Sequence, residues 1–241
     1  MKYKAVFFDC WSTIISFFEK NRVWSAKPLI DHCTNLDEVD SEKVLNTMQS
    51  VVDDYYESHN FKFEISVGAL FNMIVRLYGI KLDCPIRTLE KECLDNLDPK
   101  PITGVERFLK YLDDNGIYFA ILSNTIYNSD DTINIINRLI PNNKIRFFYG
   151  SKDVGVKKPY SLFFLSGIAP TGFKPEECIY IGDSFYQDVY GSFKAGFGKS
   201  IYLNTRNIPV EQFSNLFEEG DINYLEVKDY NDLLDNHINE L

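Results

Sequence analysis

The chain has 241 residues, of which 45% are hydrophobic and 25% are charged, and its formal net charge is −10. This composition is typical of a globular protein with enough apolar side chains for a core. The length fits one large domain or a core domain with a smaller insertion. The acidic charge argues against non-specific binding to nucleic acid or to anionic membranes. We therefore expect neither of these partners.

Cysteine and histidine are sparse along the chain. The five cysteines form no CxxC pair and the three histidines are widely scattered, so the sequence favours reduced thiols over a zinc site. The apolar start is interrupted by Asp9, Ser12 and Thr13, which is not typical of a signal peptide or a membrane span. We expect a cytoplasmic protein, and its oligomeric state stays open.

Short apolar runs alternate with amphipathic segments. Residues 3–8 read "YKAVFF" and predict a buried strand, and four later runs are similar, at 117–122, 145–150, 178–182 and 200–204. Near-continuous apolarity is typical of parallel strands that are covered on both faces. Helical patterns lie between the runs, at 103–116, 130–140 and 159–168. The sequence therefore predicts an α/β fold with a doubly wound parallel sheet.

One long segment lacks this alternation. Residues 16–98 contain no convincing strand, but they contain helical patterns at 43–58, 67–79 and 86–97. We interpret their Tyr, Phe and Leu stripes as packing. The sequence thus predicts a core formed by residues 1–15 and 99–241, interrupted by an all-helical insertion.

Polar residues follow several of the predicted strands. In a doubly wound sheet, ligands bind beyond the carboxyl ends of the strands, so these residues are candidates for one site. They are Asp9, Ser12, Thr13, Ser123, Asn124, Asp183, Ser184 and Asp188. Lys158 precedes Pro159 at the start of a helix and joins this group, whereas we interpret Lys157 as a solvated neighbour.

Three carboxylates at one sheet edge would repel one another. Asp9, Asp183 and Asp188 therefore favour a divalent cation, and Mg²⁺ commonly binds a few carboxylates together with substrate phosphate. With the charge balanced in this way, Asp9 could attack a phosphoryl group as a nucleophile. Ser123 and Lys158 could hold the phosphoryl oxygens.

Four segments of the sequence together carry a family resemblance. They are "VFFDCWSTI", "FAILSN", "VGVKKPYSLFF" and "CIYIGDSFYQDVYGSFKAG". In this order, each at a predicted strand end or helix start, they resemble the four motifs of the haloacid dehalogenase superfamily of hydrolases. The resemblance implies a Rossmann-like core, with the helical insertion at 16–98 as the family's cap.

The resemblance also implies roles for individual residues. It makes Asp9 the nucleophile and Ser123 and Lys158 the other catalytic residues. It further implies a Mg²⁺ site whose ligands are Asp9, the backbone carbonyl of Trp11, Asp183 and Asp188.

Trp11 departs from the phosphatase pattern. Phosphatases of this family usually carry a second aspartate two residues after the nucleophile, which protonates the leaving group and then activates water. An indole N–H only donates, so Trp11 can do neither. Dehalogenases of the family tend to have a tyrosine there, but they work without metal and lack the acidic pair Asp183 and Asp188. They also use an arginine from the start of the cap, where this chain offers only Arg22.

The third and fourth motifs support our first hypothesis, which is Mg²⁺-dependent hydrolysis of a small phosphorylated metabolite through an aspartyl intermediate. Substrate-binding residues are then Trp11, Ser12, Thr13 and Asn124, and good leaving groups such as acyl or aryl phosphates should be favoured. Metal-free substitution at carbon, as in 2-haloacid dehalogenases, is an alternative. So is a catalytically weak phosphate-binding or regulatory protein. Phosphonate hydrolysis is a fourth hypothesis and needs a Schiff-base lysine, with the candidates Lys20, Lys27 and Lys43.

Overall fold

The fold is built on a six-stranded sheet. The computed structural model describes residues 2–16, 26–57, 62–213 and 222–241. The strands of the sheet are β1 Ala5–Phe8, β4 Tyr118–Ser123, β5 Phe148–Gly150, β6 Cys178–Gly182, β7 Lys199–Leu203 and β8 Tyr224–Val227. They all pair in parallel, in the order β5-β4-β1-β6-β7-β8. This arrangement confirms the predicted α/β fold with a parallel sheet.

Helices cover the sheet and fill the insertion. The α-helices are α1 Lys27–Asp31, α2 Ser41–Glu57, α3 Val67–Tyr78, α4 Ile86–Asp95, α5 Val105–Asp114, α6 Ser129–Leu139, α7 Ser151–Val154, α8 Ser161–Ile168, α9 Gly191–Lys194 and α10 Tyr230–Asn236. A π-helical segment, Phe185–Tyr190, follows β6. Within the described ranges, none of these helices has the length and apolarity needed to cross a membrane.

The central strands are buried on both faces, as their continuous apolarity predicts. Along β1, Val6 and Phe8 point into one core cluster, which includes side chains of α5, α6 and α10. Ala5 and Phe7 point into the other, which includes side chains of α8. All four side chains have no solvent exposure, and each buried phenylalanine contributes roughly 1.5–3 kcal/mol. This two-sided core fixes the strand that Asp9 directly follows.

Three strands differ from the sequence prediction. The edge strand β8 was not predicted, because its residues "YLEV" form no apolar run and only Val227 is buried. Two further strands, β2 Ile15–Ser16 and β3 Lys100–Pro101, pair antiparallel where the chain enters and leaves the helical insertion. Both are only two residues long, which is too short for a period to be visible in the sequence.

The insertion is helical in the part that is described. Between β2 and β3, the described residues 26–57 and 62–98 contain α1 to α4 and a short 3₁₀ turn at Leu36–Glu38. They also contain residues of isolated bridges such as Phe63–Val156. The apolar stripes of α2 and α3 are buried, as interpreted, at Val44, Met48, Leu70 and Phe71 among others. They belong to the same core cluster as Phe8, so the insertion packs onto the sheet.

Candidate active site

Asp9 lies at the carboxyl end of the central strand. Its backbone N–H donates to the carbonyl of Ile181 in β6 at 2.8 Å, which extends the ladder one residue beyond β1. Its side chain is buried, with 6% of the residue exposed. Ser123, the last residue of β4, donates its hydroxyl to Oδ1 of Asp9 at 2.8 Å. The two predicted catalytic residues are therefore in direct contact.

Lys158 is the buried cation of the site. It is 1% exposed, and its Nζ donates to Oδ1 of Asp9 at 2.7 Å and to Oδ1 of Asp188 at 2.5 Å. Burial by itself would lower the pKa of Lys158, but the carboxylates of Asp188 and Asp9 outweigh it and hold the pKa well above its usual value. Lys158 is therefore an ammonium that links two carboxylates.

Asn124 holds the backbone of Lys158. Its Oδ1 accepts from the N–H of Lys158 at 2.7 Å, and its Nδ2 donates to the carbonyl of the same residue at 3.1 Å. The same Nδ2 lies 3.2 Å from Oε1 of Gln187. This amide ties the loop after β4 to the loop before α8. Its predicted substrate-binding role stays a prediction.

Three carboxylates share a small volume beside Lys158. Oxygens of Asp9, Asp183 and Asp188 all lie within 4.8 Å of one another. Burial, together with the charges of Asp188 and Asp9, raises the pKa of Asp183 to about 8. Burial also raises the pKa of Asp188 to about 6, although Lys158 opposes it. The ionised forms are thus disfavoured until more positive charge is present.

This donor set fits a divalent cation such as Mg²⁺. All three donors are carboxylates, the hard oxygen ligands that Mg²⁺ prefers, and they are close enough for one ion. Two protein cations balance part of their charge: Lys158 on one side, and Arg206, whose Nη2 donates to Oδ2 of Asp183 at 2.9 Å, on the other. A cation held by this cluster would offset what remains.

The loop after Asp9 carries the other predicted residues of the first motif. Trp11 is half-buried, with its ring 6.1 Å from the ring of Tyr127 in an edge-on arrangement. Ser12 has a φ of 59°, a left-handed conformation that is uncommon for any residue but glycine. Thr13 is fully buried, and within the described residues its Oγ1 has no hydrogen-bond partner. The substrate-binding roles of these three residues stay predictions.

The structure thus brings together Asp9, Ser123, Lys158, Asp183 and Asp188, as the strand-end argument predicted. Sequence reasoning missed Tyr180, whose buried hydroxyl lies 3.0 Å from Nζ of Lys158. It also missed Arg206, although Arg206 follows the predicted strand 200–204, so the same strand-end rule could have found it. Lys20 and Arg22, which two of the alternatives name, lie outside the described residues.

A second group of metal-ligating side chains lies in the helical insertion. His32, Asp83 and Cys84 have ligand atoms within 4.8 Å of one another, although the histidines are scattered in sequence. The two ring nitrogens of His32 lie 2.7 Å from Asp83 and 3.1 Å from Glu92. Hydrogen bonds therefore account for this cluster, and the expectation of no zinc site stays a prediction.

Comparison with known families identifies the class of protein. The family described as "Haloacid dehalogenase-like hydrolase" matches residues 24–199, which is nearly three quarters of the chain. The chain therefore belongs to the haloacid dehalogenase-like hydrolases, and this confirms the predicted family. The matched range includes the second, third and fourth motifs, while the first motif with Trp11 precedes it.

Two curated relatives are similar to parts of the chain. Both carry the name glyceraldehyde 3-phosphate phosphatase. The protein of Methanopyrus kandleri is 39% identical over 46 residues, and that of Pyrococcus furiosus is 33% identical over 76 residues. The matched segments span 19% and 32% of this chain, and 20% and 28% of the relatives.

Solved structures with this fold include both phosphatases and dehalogenases. A HAD phosphatase from Thermococcus onnurineus aligns over 96% of each chain, with 20% identity and a TM-score of 0.64. A 2-haloacid dehalogenase from Pseudomonas syringae pv. Tomato DC3000 aligns over 99% of each, with 17% identity and a TM-score of 0.66. The Bacillus subtilis HAD-hydrolase YfnB, bound to magnesium, aligns over 100% of each, with 20% identity and a TM-score of 0.61. At these identities the likeness shows the fold alone.

Proposed function

We propose that the chain is a Mg²⁺-dependent phosphatase that hydrolyses a small phosphorylated metabolite through an aspartyl-phosphate on Asp9. The observation that carries this proposal is the buried cluster of Asp9, Asp183 and Asp188 around Lys158. Such a cluster suits a divalent cation and a phosphoryl dianion, whereas substitution at carbon needs neither. The phosphatase names of the two curated relatives support the same choice.

Asp9 is the nucleophile of this proposal. Ser123 and Lys158 both donate to its Oδ1, so we assign the attack on phosphorus to Oδ2. The Oδ2–P bond forms as the bond from phosphorus to the leaving oxygen breaks, and the leaving group takes up a proton from water. Water then attacks the phosphorus of the aspartyl-phosphate, which releases inorganic phosphate and restores the Asp9 carboxylate.

The remaining groups of the site would bind the phosphoryl oxygens and the metal ion. Lys158 offers its ammonium to the phosphoryl oxygens, and the hydroxyl of Ser123 can turn from Asp9 towards them. Asp9, Asp183 and Asp188, with the carbonyl of Trp11, would hold Mg²⁺, which would neutralise charge on the phosphoryl group. We further propose that residues 16–98 act as the cap over this site, with Trp11, Ser12, Thr13 and Asn124 near the substrate.

A second function is favoured by one residue. Trp11 puts an aromatic ring where a general acid would otherwise stand, which suits a metal-free substitution at carbon by Asp9. A carbon–halogen bond needs no protonation to break, so Trp11 would be no handicap there. Dehalogenation that persists in EDTA would support this alternative, and its loss on chelation would remove it.

The test is phosphate release from acyl, aryl and alkyl phosphates, with glyceraldehyde 3-phosphate in the panel. Each substrate is assayed with Mg²⁺ and with EDTA, for the wild type and for Asp9→Asn. Release that requires both Mg²⁺ and Asp9 supports the proposal. No release from any substrate, or release that is unchanged in Asp9→Asn, contradicts it.

A further inference from the structure

Glu64 is a partly buried carboxylate that the proposed chemistry does not use. It comes from the helical insertion, between α2 and α3, and its Oε2 accepts from the hydroxyl of Ser151 at 2.5 Å. Its Oε1 accepts from the hydroxyl of Tyr55 and from its neighbour's backbone, the N–H of Ile65, at 3.1 Å. Both oxygens are therefore bonded. The carboxylate joins α2 to Ser151, the first residue of α7.

Ser151 carries this contact to the loop that follows β4. Its Oγ accepts from the backbone N–H of Thr125 at 2.8 Å. Thr125 is two residues beyond Ser123, which donates to Asp9. It also follows Asn124, which holds the backbone of Lys158. The chain from Glu64 thus ends on the backbone beside two residues of the candidate active site.

A second chain of contacts runs from Glu64 to the loop that carries Lys158. The hydroxyl of Tyr55, which donates to Glu64, accepts from Nζ of Lys157, and this nitrogen also lies 4.1 Å from the centre of the Tyr55 ring. Burial lowers the pKa of Lys157, and the charge of Glu64 opposes that effect. Lys157 is therefore not the solvated neighbour that the sequence suggested, but a partly buried partner of the insertion.

The backbones of the two segments also pair. The N–H of Glu64 donates to the carbonyl of Gly155 at 2.9 Å, and the N–H of Lys157 donates to the carbonyl of Lys62 at 3.0 Å. The bridge between Phe63 and Val156 lies between these bonds. Residues 62–64 therefore run antiparallel beside residues 155–157, directly before Lys158.

We propose that Glu64 is a positioning residue. Through it, the helical insertion holds two loops in register: the loop that follows β4 and Ser123, and the loop before α8 that carries Lys158. Glu64 orients the loop after β4 through Ser151, and it orients the loop that carries Lys158 through Tyr55 and Lys157. This inference rests on the proposed function for its kinetic consequence. Because small displacements of reacting groups cost about a hundredfold in rate, loosening both loops should lower kcat more than it changes KM.

Glu90 offers a matched control. It also belongs to the insertion, its side chain is 12% exposed, and it pairs with Nζ of Lys152 at 3.1 Å. It further accepts from the N–H of Gly68 at 3.1 Å. The pair with Lys152 thus joins the insertion to the residue next to Ser151, but it ends on the side chain of Lys152, and the bond from Gly68 stays within the insertion.

The experiment compares Glu64→Gln, Ser151→Ala, their double variant and Glu90→Gln. We expect Glu64→Gln to lower kcat for an aryl phosphate about tenfold or more, with KM within about twofold, and the double variant to be no worse. Glu90→Gln should keep wild-type kcat. Wild-type kcat in Glu64→Gln, or an equal loss of kcat in Glu90→Gln, would overturn the inference.

Hydrogen–deuterium exchange gives a readout that does not depend on turnover. Glu64→Gln should speed exchange at the backbone amides of Thr125 and Lys158, and Glu90→Gln should not. If the wild type releases no phosphate, the proposed function fails and this measurement alone decides the role of Glu64. Unchanged exchange at both amides in Glu64→Gln would then reject it.

Discussion

The hydroxyl oxygen of Tyr180 lies 3.0 Å from Nζ of Lys158, and both residues are buried. The same hydroxyl donates to the carbonyl of Leu122 at 2.5 Å, so its orientation is set and its lone pair faces the ammonium. The ring is packed edge-on against Phe164 and Phe197. Lys158 therefore has a third oxygen partner besides Asp9 and Asp188, provided by the core and not by a loop.

Tyr180→Phe should weaken both stability and turnover. It leaves the carbonyl of Leu122 without its donor and takes one acceptor from Lys158, which should cost about 1–3 kcal/mol of unfolding free energy. Urea unfolding and kcat measure the two effects. Tyr149→Phe is the control, since among the described residues the hydroxyl of Tyr149 bonds the side chain of Ser166, at 2.8 Å, and not Lys158. If Tyr180→Phe lowers kcat no more than Tyr149→Phe does, the Tyr180 hydroxyl is not needed to hold Lys158 for turnover.

Gly182→Ala should displace Asp188. A β-carbon at Gly182 would lie 2.2 Å from Cγ of Asp188, so the carboxylate would have to leave its contact with Lys158. We expect overpacking to lower the free energy of unfolding by about 1–3 kcal/mol, and the displaced carboxylate to cause a large fall in activity. At Gly167 the added carbon would instead meet the end of the Leu122 side chain at 2.7 Å and the ring of Tyr149 at 3.1 Å, and no residue of the acidic cluster is among these neighbours. The test compares the activity of Gly182→Ala with that of Gly167→Ala. Equal activities would contradict the displacement of the Asp188 carboxylate.

Mg²⁺ should stabilise the protein through its acidic cluster. A ligand that binds only the folded state at a hundred times its Kd adds about 2.7 kcal/mol, so the wild-type Tm should rise with Mg²⁺. Asp183→Asn should reduce this rise, because it removes one of three carboxylates. The exposed Asp153→Asn in α7 should keep it. Thermal melts with and without Mg²⁺ test this, and a full Mg²⁺ shift in Asp183→Asn would exclude Asp183 as a ligand.

Trp11 should make turnover depend on the leaving group. With no acid at this position, the wild type should hydrolyse aryl phosphates much faster than alkyl phosphates. Trp11→Asp should narrow that ratio by raising the alkyl rate, while Trp11→Phe should keep it. The kcat/KM values of one aryl and one alkyl substrate provide the test. Similar rates on both substrates in the wild type would show that another group supplies the proton.

His32 should make stability depend on pH. Its pKa is raised above 6.5 by hydrogen bonding to Asp83 and then to Glu92. The imidazolium therefore contributes fully below the unfolded pKa, and the contribution is lost as pH rises through the folded pKa. The stability gap between the wild type and His32→Gln should be larger at pH 6 than at pH 9. Urea unfolding at both values measures it, and a constant gap would rule out the imidazolium as its cause.

The polar site residues at the strand ends could be predicted because the pattern that marks them, a polar residue directly after an apolar run, is local in the sequence. Asp9, Ser123 and Asp183 each follow an apolar run closely, and parallel strands bring such ends to one edge whatever the loops between them do. The parallel type of the central strands could be predicted because their continuous apolarity is also a local feature, but their order across the sheet was not predicted. Edge strand β8 could not, because an exposed strand needs no apolar run.

The partners of these residues depend on the tertiary structure. In the sequence, Tyr180 is one more apolar residue of a strand. Its contact with Lys158 forms because β6 pairs with β1, and Lys158 also contacts Asp9 directly after β1. Glu64 reads as one surface glutamate among many, and its contacts with Ser151 and Tyr55 require the insertion to fold back onto the core.

The amino-acid sequence by itself determined the parallel α/β core, the family and the five side chains at the sheet edge, since apolar periodicity and strand-end polarity act over a few residues. Only the tertiary structure decided which groups hold those side chains in place. Hydrogen bonds and charge pairing act over a few ångströms between residues far apart in sequence, and chain folding alone brings them within that range.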